Sequence, residues 1–183
     1  MKKSALFVTA DSRKCTGCKA CELACFAEHN HKQNGVGKTV GTVTVPVTPK
    51  LYLVKDEKIC LPIQCRHCED APCLAACVKG AITRVNGQVY INEEKCIGCK
   101  DCIMACPFGA IALLPVSRGG EAVYQQDSDQ PQIVASKCDL CMDIEGGPAC
   151  VRACPNQALR LVDPDEELMD KHLRAAESLM ATL

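Results

Sequence analysis

The chain reads as short apolar stretches separated by polar, glycine-bearing breaks. Ala5 to Ala10 predicts a strand and Asp11 to Lys14 a turn. A helix is expected to begin near Cys21 and end at about Asn30, with a loop over 31–41. β-Branched, partly alternating residues over 42–54 predict a strand, interrupted or at an edge in its first part by Pro46 and Pro49. Residues 58–63 continue as an apolar approach. Ala81 to Ile91 reads as a hairpin, because Asn86-Gly87 supplies the two positive φ angles of a tight turn. Ala110 to Leu114 predicts another strand, 115–131 with Gly119-Gly120 a surface loop, and Gln132 to Ala135 a further apolar approach. The last segment is an amphipathic helix. Asp163 is its N-cap, Pro164 sits at N1, and Asp165, Glu166 and Glu167 occupy the first turn, where the dipole favours anions. Met169, Leu173, Ala176, Met180 and Leu183 recur at helical spacing, and Leu168 and Leu179 widen the stripe. Such a stripe packs on its own domain, or docks on a partner or a second copy.

Cysteine changes this picture. Of 183 residues 17 are Cys, and sixteen of these fall into four groups of four. Motif I is Cys15, Cys18, Cys21 and Cys25. Motif II is Cys65, Cys68, Cys73 and Cys77. Motif III is Cys96, Cys99, Cys102 and Cys106, followed by Pro107. Motif IV is Cys138, Cys141, Cys150 and Cys154, followed by Pro155. Motifs I and III have the C-x2-C-x2-C-x3-C spacing of bacterial ferredoxins, in which the fourth cysteine ligates the other of two clusters. Three thiolates on one tight loop reach one cubane, while the fourth points away to the next. Cys65, Cys68 and Cys73 then pair with Cys106, and Cys96, Cys99 and Cys102 with Cys77. Motifs I and IV pair around them: Cys15, Cys18 and Cys21 with Cys154, and Cys138, Cys141 and Cys150 with Cys25. A repeat supports this modular reading: Cys77-Val-Lys-Gly-Ala-Ile, Cys106-Pro-Phe-Gly-Ala-Ile and Cys154-Pro-Asn-Gln-Ala-Leu each close a motif and open a strand. The competing chemistries are structural zinc, which motif IV by itself and less easily motif II would suit, and disulfides, for which an odd cysteine count is a poor fit.

Other residues near the motifs are read more plainly. Cys60, the seventeenth, is expected to be a buried inert thiol on a strand. His67 donates a hydrogen bond or faces solvent; His29 and His31 belong to a solvated loop. Lys14, Lys95 and Lys137 each precede a motif and are expected at the solvated surface, where together they offset cluster charge.

Composition narrows the class. The 48% hydrophobic content is inflated by sulfur, aromatics are 3% and Trp is absent, so cluster sites rather than an aromatic core should nucleate the fold. A net charge of −1 offers no basic footprint for nucleic acid. No apolar run approaches the ~20 residues of a membrane span, and the N-terminus has no secretion signal. Neither a phosphate loop nor a nucleotide fingerprint is present. No motif lacks a ligand, so the clusters should be coordinatively closed and suited to electron transfer; four of them in so small a chain make a wire.

These motifs resemble the four-cluster iron–sulfur subunits of molybdenum or tungsten formate dehydrogenases and related oxidoreductases, above all the small type found in formate hydrogenlyase and hydrogen-dependent carbon dioxide reductase. The resemblance lies in Ala10-Asp11 before Cys15-Thr-Gly-Cys18, in Cys65-Arg-His-Cys68-Glu-Asp-Ala-Pro-Cys73, in Cys96-Ile-Gly-Cys99 and Cys106-Pro-Phe-Gly-Ala, and in Lys137-Cys138-Asp-Leu-Cys141 with Gly147-Pro-Ala-Cys150. It covers about residues 5 to 163. It implies an α+β fold of two pseudo-symmetric bacterial-type 2[4Fe–4S] ferredoxin modules of short strands and helices, four [4Fe–4S] clusters and the nested pairing above. Residues 1–58 with 115–163 would form the outer module, 59–114 the central module, and 164–183 the C-terminal docking or assembly helix. Val78 departs from the usual proline after Cys77. Membrane-anchored relatives end in a transmembrane helix, whereas Asp165, Glu166, Glu167, Asp170, Lys171, Arg174 and Glu177 prevent this one from spanning, so a cytoplasmic protein is expected.

The function implied is a non-catalytic electron-transfer subunit between a formate dehydrogenase catalytic subunit and a hydrogenase or other iron–sulfur subunit. A free polyferredoxin, or the corresponding subunit of another molybdopterin oxidoreductase, is the alternative, and self-association through residues 164–183 a possible addition. Anaerobically purified protein is expected to carry about sixteen irons and matching sulfide per chain, four for each cubane. Zinc in place of iron would overturn this reading.

Overall fold

The computed structural model describes residues 4–34, 48–118, 121–125, 129–142 and 144–181. In chain order its elements are β1 (Phe7–Ala10), α1 (Ala20–Asn34), β2 (Tyr52–Lys55), β3 (Cys60–Ile63), α2 (Pro72–Ala75), β4 (Ile82–Val85), β5 (Gln88–Ile91), α3 (Asp101–Ala105), β6 (Ala112–Pro115), β7 (Ser117–Arg118), β8 (Glu121–Ala122), β9 (Ile133–Ser136), α4 (Ala149–Arg152), β10 (Leu159–Val162) and α5 (Pro164–Met180).

Every sheet described is a two-stranded antiparallel ladder. β1 pairs with β10, Phe7 opposite Val162, so the two ends of the 5–163 stretch close on each other. β4 and β5 form the expected hairpin, with Asn86 at φ 49° and Gly87 at φ 86°. β2 pairs with β3 and β6 with β9, which ties the residues before motif II to those ahead of them and the tail of motif III to the approach of motif IV. Both ladders cross the sequence positions at which the two modules were divided.

The repeated tail explains the core. Its Ala and Ile or Leu positions are all buried: Ala81 and Ile82, Ala110 and Ile111, Ala158 and Leu159. Three of the four motifs thus end by inserting a small and then a branched side chain. Motif I continues instead into α1, which places Cys25 and Phe26 in the interior. Of the 26 buried apolar residues among those described, eight are Cys and seven are Ala. Large fully buried side chains such as Leu51, Val8 and Val89 are few, and each contributes about 1.5–3 kcal/mol. A core this poor in large hydrophobics agrees with a fold organised around its cysteine sites.

Two expectations change at their boundaries. α1 runs to Asn34, beyond Asn30, because no proline follows Cys25 to remove a backbone donor; residues 35–47 lie outside those described. The 115–131 stretch is not simply a loop: β7 and β8 extend the β6–β9 arm as a further ladder, and Tyr124 bridges to Pro131. Gly119 and Gly120 lie outside the described residues.

α5 begins as the sequence predicts. The Asp163 carboxylate accepts the Asp165 N–H at 3.0 Å and Pro164 opens the first turn. Ser4 donates to Asp165 through its N–H (3.1 Å) and hydroxyl (2.7 Å), and Arg160 pairs with Glu167. Beyond this root the helix buries none of its described residues, and Leu168, Met169, Leu173, Leu179 and Met180 are exposed. Packing on its own domain is therefore not what the stripe does; at 1.5 Å per residue it projects about 25 Å. Removing residues 164–183 is expected to change thermal stability by no more than about 1 kcal/mol, the range of exposed ion pairs, with iron content unchanged. A larger loss in a melting experiment would show that α5 is part of the folded core.

Candidate iron–sulfur centres

Each motif opens with the same backbone device. The third residue of the opening Cys-x-x-Cys of each motif has a left-handed φ: Gly17 at 75°, His67 at 49°, Gly98 at 69° and Leu140 at 59°. The turn lets the backbone fold back on the first sulfur: the N–H of His67 donates to Cys65 Sγ and that of Leu140 to Cys138 Sγ, each at 3.4 Å. Glycine is demanded at two of the four positions. A Cβ on Gly17 would lie 2.9 Å from Cys60 Sγ, and one on Gly98 would lie 2.7 Å from the Ile133 carbonyl oxygen. His67 and Leu140 adopt the strained angle while buried, which costs on the order of 1 kcal/mol each and persists when surrounding structure dictates it.

The structure brings cysteines of different motifs close to one another. Cys65 and Cys106 act electrostatically on both Cys68 and Cys73. Cys77, Cys96, Cys99 and Cys102 line one small cavity. Cys25 acts on Cys138, Cys141 and Cys150, although it lies more than a hundred positions away in the chain. Cys15 acts on Cys21. Cys154 packs in the same cluster of side chains as Cys21, and two residues on Asn156 donates to the Thr16 hydroxyl of the motif I loop at 2.9 Å. None of these cysteines forms a disulfide. Cys18 and Cys99 are exposed, while Cys21, Cys25, Cys65, Cys73, Cys102, Cys138, Cys141 and Cys150 are buried.

Backbone amides are aimed at these sulfurs. Ala135 N–H donates to Cys96 Sγ (3.3 Å), Lys50 N–H to Cys25 Sγ (3.3 Å) and Ala158 N–H to Cys154 Sγ (3.2 Å). Burial pushes the thiols up: Cys21 and Cys102 to about 11, Cys150 to about 12, and Cys138 further still. Neighbouring sulfurs add to the effect at Cys102 and Cys150. Thiolates packed this way repel one another and are starved of water, so the ligand form needs a compact multivalent cation among them. Free-thiol burial, converging N–H donors and cysteine-only donor sets all suit an iron–sulfur core.

Several side chains differ from their sequence-based expectation. His29 is not in a solvated loop; it stands on α1, with Nε2 2.9 Å and 3.1 Å from the two Asp139 oxygens and Nδ1 2.7 Å from the Cys25 carbonyl. Lys50 Nζ donates to Asp139 at 2.8 Å, and Asp139 also accepts the Cys141 N–H at 3.0 Å. Burial pulls the His29 imidazole down, but the bonds to Asp139 and Cys25 outweigh it and raise it to about 10. Burial raises Asp139, but His29 and Lys50 outweigh it and hold the carboxyl well below the carboxylate range. This charged knot straps α1 and the Lys50 segment to motif IV. One signal for it was present in the sequence: His29 lies four residues after Cys25, on the same helical face. Nothing in the sequence pointed to Lys50. The His31 side chain lies outside those described.

Cys60 is half-buried at the start of β3, with its sulfur 3.8 Å from Cys15 Sγ rather than isolated in a core. His67 does not face solvent: it is 0% exposed, and its Nδ1 accepts the Val89 N–H at 3.1 Å. Burial and the nearby Lys137 push its imidazole down to about 3, so the ring is neutral. Lys14 and Lys95 are at the surface as expected; Lys137 is buried at 4% exposure.

Comparison with known proteins agrees with this chemistry. Two family models described as 4Fe-4S dicluster domains match residues 57–118 and 88–155. The electron transport protein HydN of Escherichia coli K12 is 41% identical over 177 residues, covering 95% of this chain and 98% of its own. The chain belongs to the 4Fe-4S dicluster electron-transport proteins. It is likewise 41% identical to formate hydrogenlyase subunit 2 of E. coli K12, over 86% of this chain and 81% of that one. Hydrogenase-4 component A of the same organism is 38% identical over 96% and 90%. As an iron–sulfur electron-transfer protein, the chain is non-catalytic. Among described residues, no helix is long and apolar enough to cross a membrane.

Asp139→Asn is expected to destabilise the holoprotein by about 2 kcal/mol, since it removes the negative charge and one of the two acceptor oxygens that His29 and Lys50 share. The measurement is anaerobic thermal unfolding with iron release followed alongside. An unchanged melting temperature would show that the knot is incidental.

Proposed function

We propose that this chain holds four [4Fe–4S] clusters and passes electrons between a formate-oxidising or carbon dioxide-reducing subunit and a hydrogenase or other iron–sulfur subunit. The observation that supports the reading is that cysteines of motifs distant in sequence pack together, Cys21, Cys25, Cys138, Cys150 and Cys154 in one cluster of side chains and Cys73, Cys77, Cys96 and Cys102 in another. The ligand sets are Cys15, Cys18, Cys21 and Cys154; Cys65, Cys68, Cys73 and Cys106; Cys96, Cys99, Cys102 and Cys77; and Cys138, Cys141, Cys150 and Cys25. When bound, a [4Fe–4S] cluster supplies reversible one-electron chemistry without an open iron site. The residues of the chain bury the ligands, direct N–H donors at their sulfurs and limit access from water.

Motifs I and IV form the outer module and motifs II and III the central one. The exposed ligands Cys18 and Cys99 mark two places where a ligand sulfur reaches the surface, one in each module. Exposed Ile97, Met104 and Phe108 lie near Cys99 in sequence, apolar side chains suited to a redox partner. The choice of partner follows the relatives named for formate hydrogenlyase and hydrogenase-4. The exposed stripe of α5 supports a further contact through residues 164–183, with a partner or a second copy. A cytoplasmic setting fits these partners.

Cross-pairing and setting are tested in one preparation. Cys15→Ser and Cys25→Ser are expected to alter two different clusters in the low-temperature EPR spectrum, although both lie in motif I. Wild-type protein purified anaerobically from its host is expected to bring down a formate dehydrogenase or hydrogenase chain. Loss of one and the same signal in both variants would sink the pairing. A cluster-loaded monomer without companions would favour the free polyferredoxin.

A further inference from the structure

Lys137 is out of place for a lysine. Its counterparts ahead of motifs I and III, Lys14 and Lys95, are exposed, yet Lys137 is buried. Its ammonium donates to the Val89 carbonyl, and to the Cys138 carbonyl at 2.9 Å. No carboxylate among the described residues lies within ion-pair distance of it, and Asp139 is engaged with His29 and Lys50. His67, which holds the other side of Val89, accepts at Nδ1 and so carries its proton on Nε2 as a neutral ring. That Nε2 is itself buried without a partner in the protein.

Two carbonyl dipoles are poor compensation for a buried ammonium, which is costly unless a negative charge stands near it. Glu93 and Asp139 line a cavity with Lys137 but lie beyond ion-pair distance of it, whereas Val89, whose carbonyl accepts from the ammonium, packs in one cluster of buried side chains with Cys73 and is held by His67, between Cys65 and Cys68 in the chain. The orphaned Nε2–H of His67, between Cys65 and Cys68 in the chain, likewise fits an acceptor that the protein itself does not supply.

We propose that Lys137 is the internal counter-cation of the cluster held by Cys65, Cys68, Cys73 and Cys106, and that its charge raises the reduction potential of that cluster. The proposal rests on the ligand assignment above. Reduction adds one negative charge to the site, and a fixed cation in a water-poor setting stabilises that state over the oxidised one. Val89 is the clamp. Its carbonyl holds the ammonium and its N–H holds His67, so the charge cannot swing out to solvent. Lys137 is thus a positioning residue for the known electron transfer, acting through potential rather than contact with a partner.

The test is an EPR-monitored redox titration of the cluster-loaded protein in Lys137→Gln, which keeps two N–H donors but no charge, and in Lys137→Arg, which keeps the charge. In the Gln variant the reduced-to-oxidised ratio of one cluster is expected to fall about tenfold at the wild-type midpoint, which is about 59 mV for one electron, while the other signals stay. The Arg variant should titrate as wild type. A Gln variant that loses this cluster while Arg retains it would also support the proposal, since charge is then what the site requires. Wild-type behaviour of the Gln variant, equal shifts in Gln and Arg, or cluster loss in both would overturn it. Cys73→Ser identifies the signal. If the signal that shifts is one that Cys73→Ser leaves intact, the proposal fails for this cluster while the four-cluster reading stands. An iron count short of four clusters would instead overturn the ligand assignment.

Discussion

Negative charge held close together and away from water is the constraint on which this structure depends. The proposed four clusters require sixteen sulfurs to be available as thiolates inside a chain of 183 residues, and burial opposes that state at every site where a shift is resolved, most at Cys138 and Cys150. The left-handed turns of the four Cys-x-x-Cys loops and the N–H groups of Lys50, Ala135 and Ala158 are responses to this one requirement. With clusters bound as proposed, metal binding would contribute to folding, since no preformed site exists in an unfolded chain.

The scaffold around the sulfurs is economical. Alanine and cysteine make up most of the buried apolar residues, and the ladders are only two strands wide. Isolated two-stranded ladders are marginal in water, and four of those described place side chains in clusters shared with cysteines. The repeated Ala-Ile tail is the unit of this arrangement, and α1 replaces it once, at motif I, where Cys25 lies near the cysteines of motif IV.

Charge compensation is distributed unevenly. At motif IV it is explicit, with Asp139 accepting from His29, Lys50 and the Cys141 amide. Between motifs II and IV it takes the form of a buried ammonium beside a neutral imidazole, joined through Val89. Motifs I and III, each with an exposed second cysteine, have their preceding lysines in solvent. Four similar motifs therefore offer dissimilar electrostatic surroundings, which is how one ligand type can be given several potentials.

The sequence alone determined the local features, because these follow from spacing and backbone chemistry. The four cysteine motifs, the Asn86-Gly87 hairpin, the strands that follow each repeated tail and the Asp163-capped helix were all legible from neighbouring residues. The family could be read from the motifs taken together. What the tertiary structure decided depends on partners remote in the chain. His29 leaves the solvated role assigned to it because Asp139 lies opposite; Cys60 meets Cys15 because the β2–β3 arm packs over the Gly17 turn; α1 outruns its expected end. Lys137 could not be told from Lys14 and Lys95 by position alone. Whether a lysine before a cysteine points to water or inward depends on what lies across from it, and for Lys137 that is the Val89 carbonyl on a hairpin of another motif.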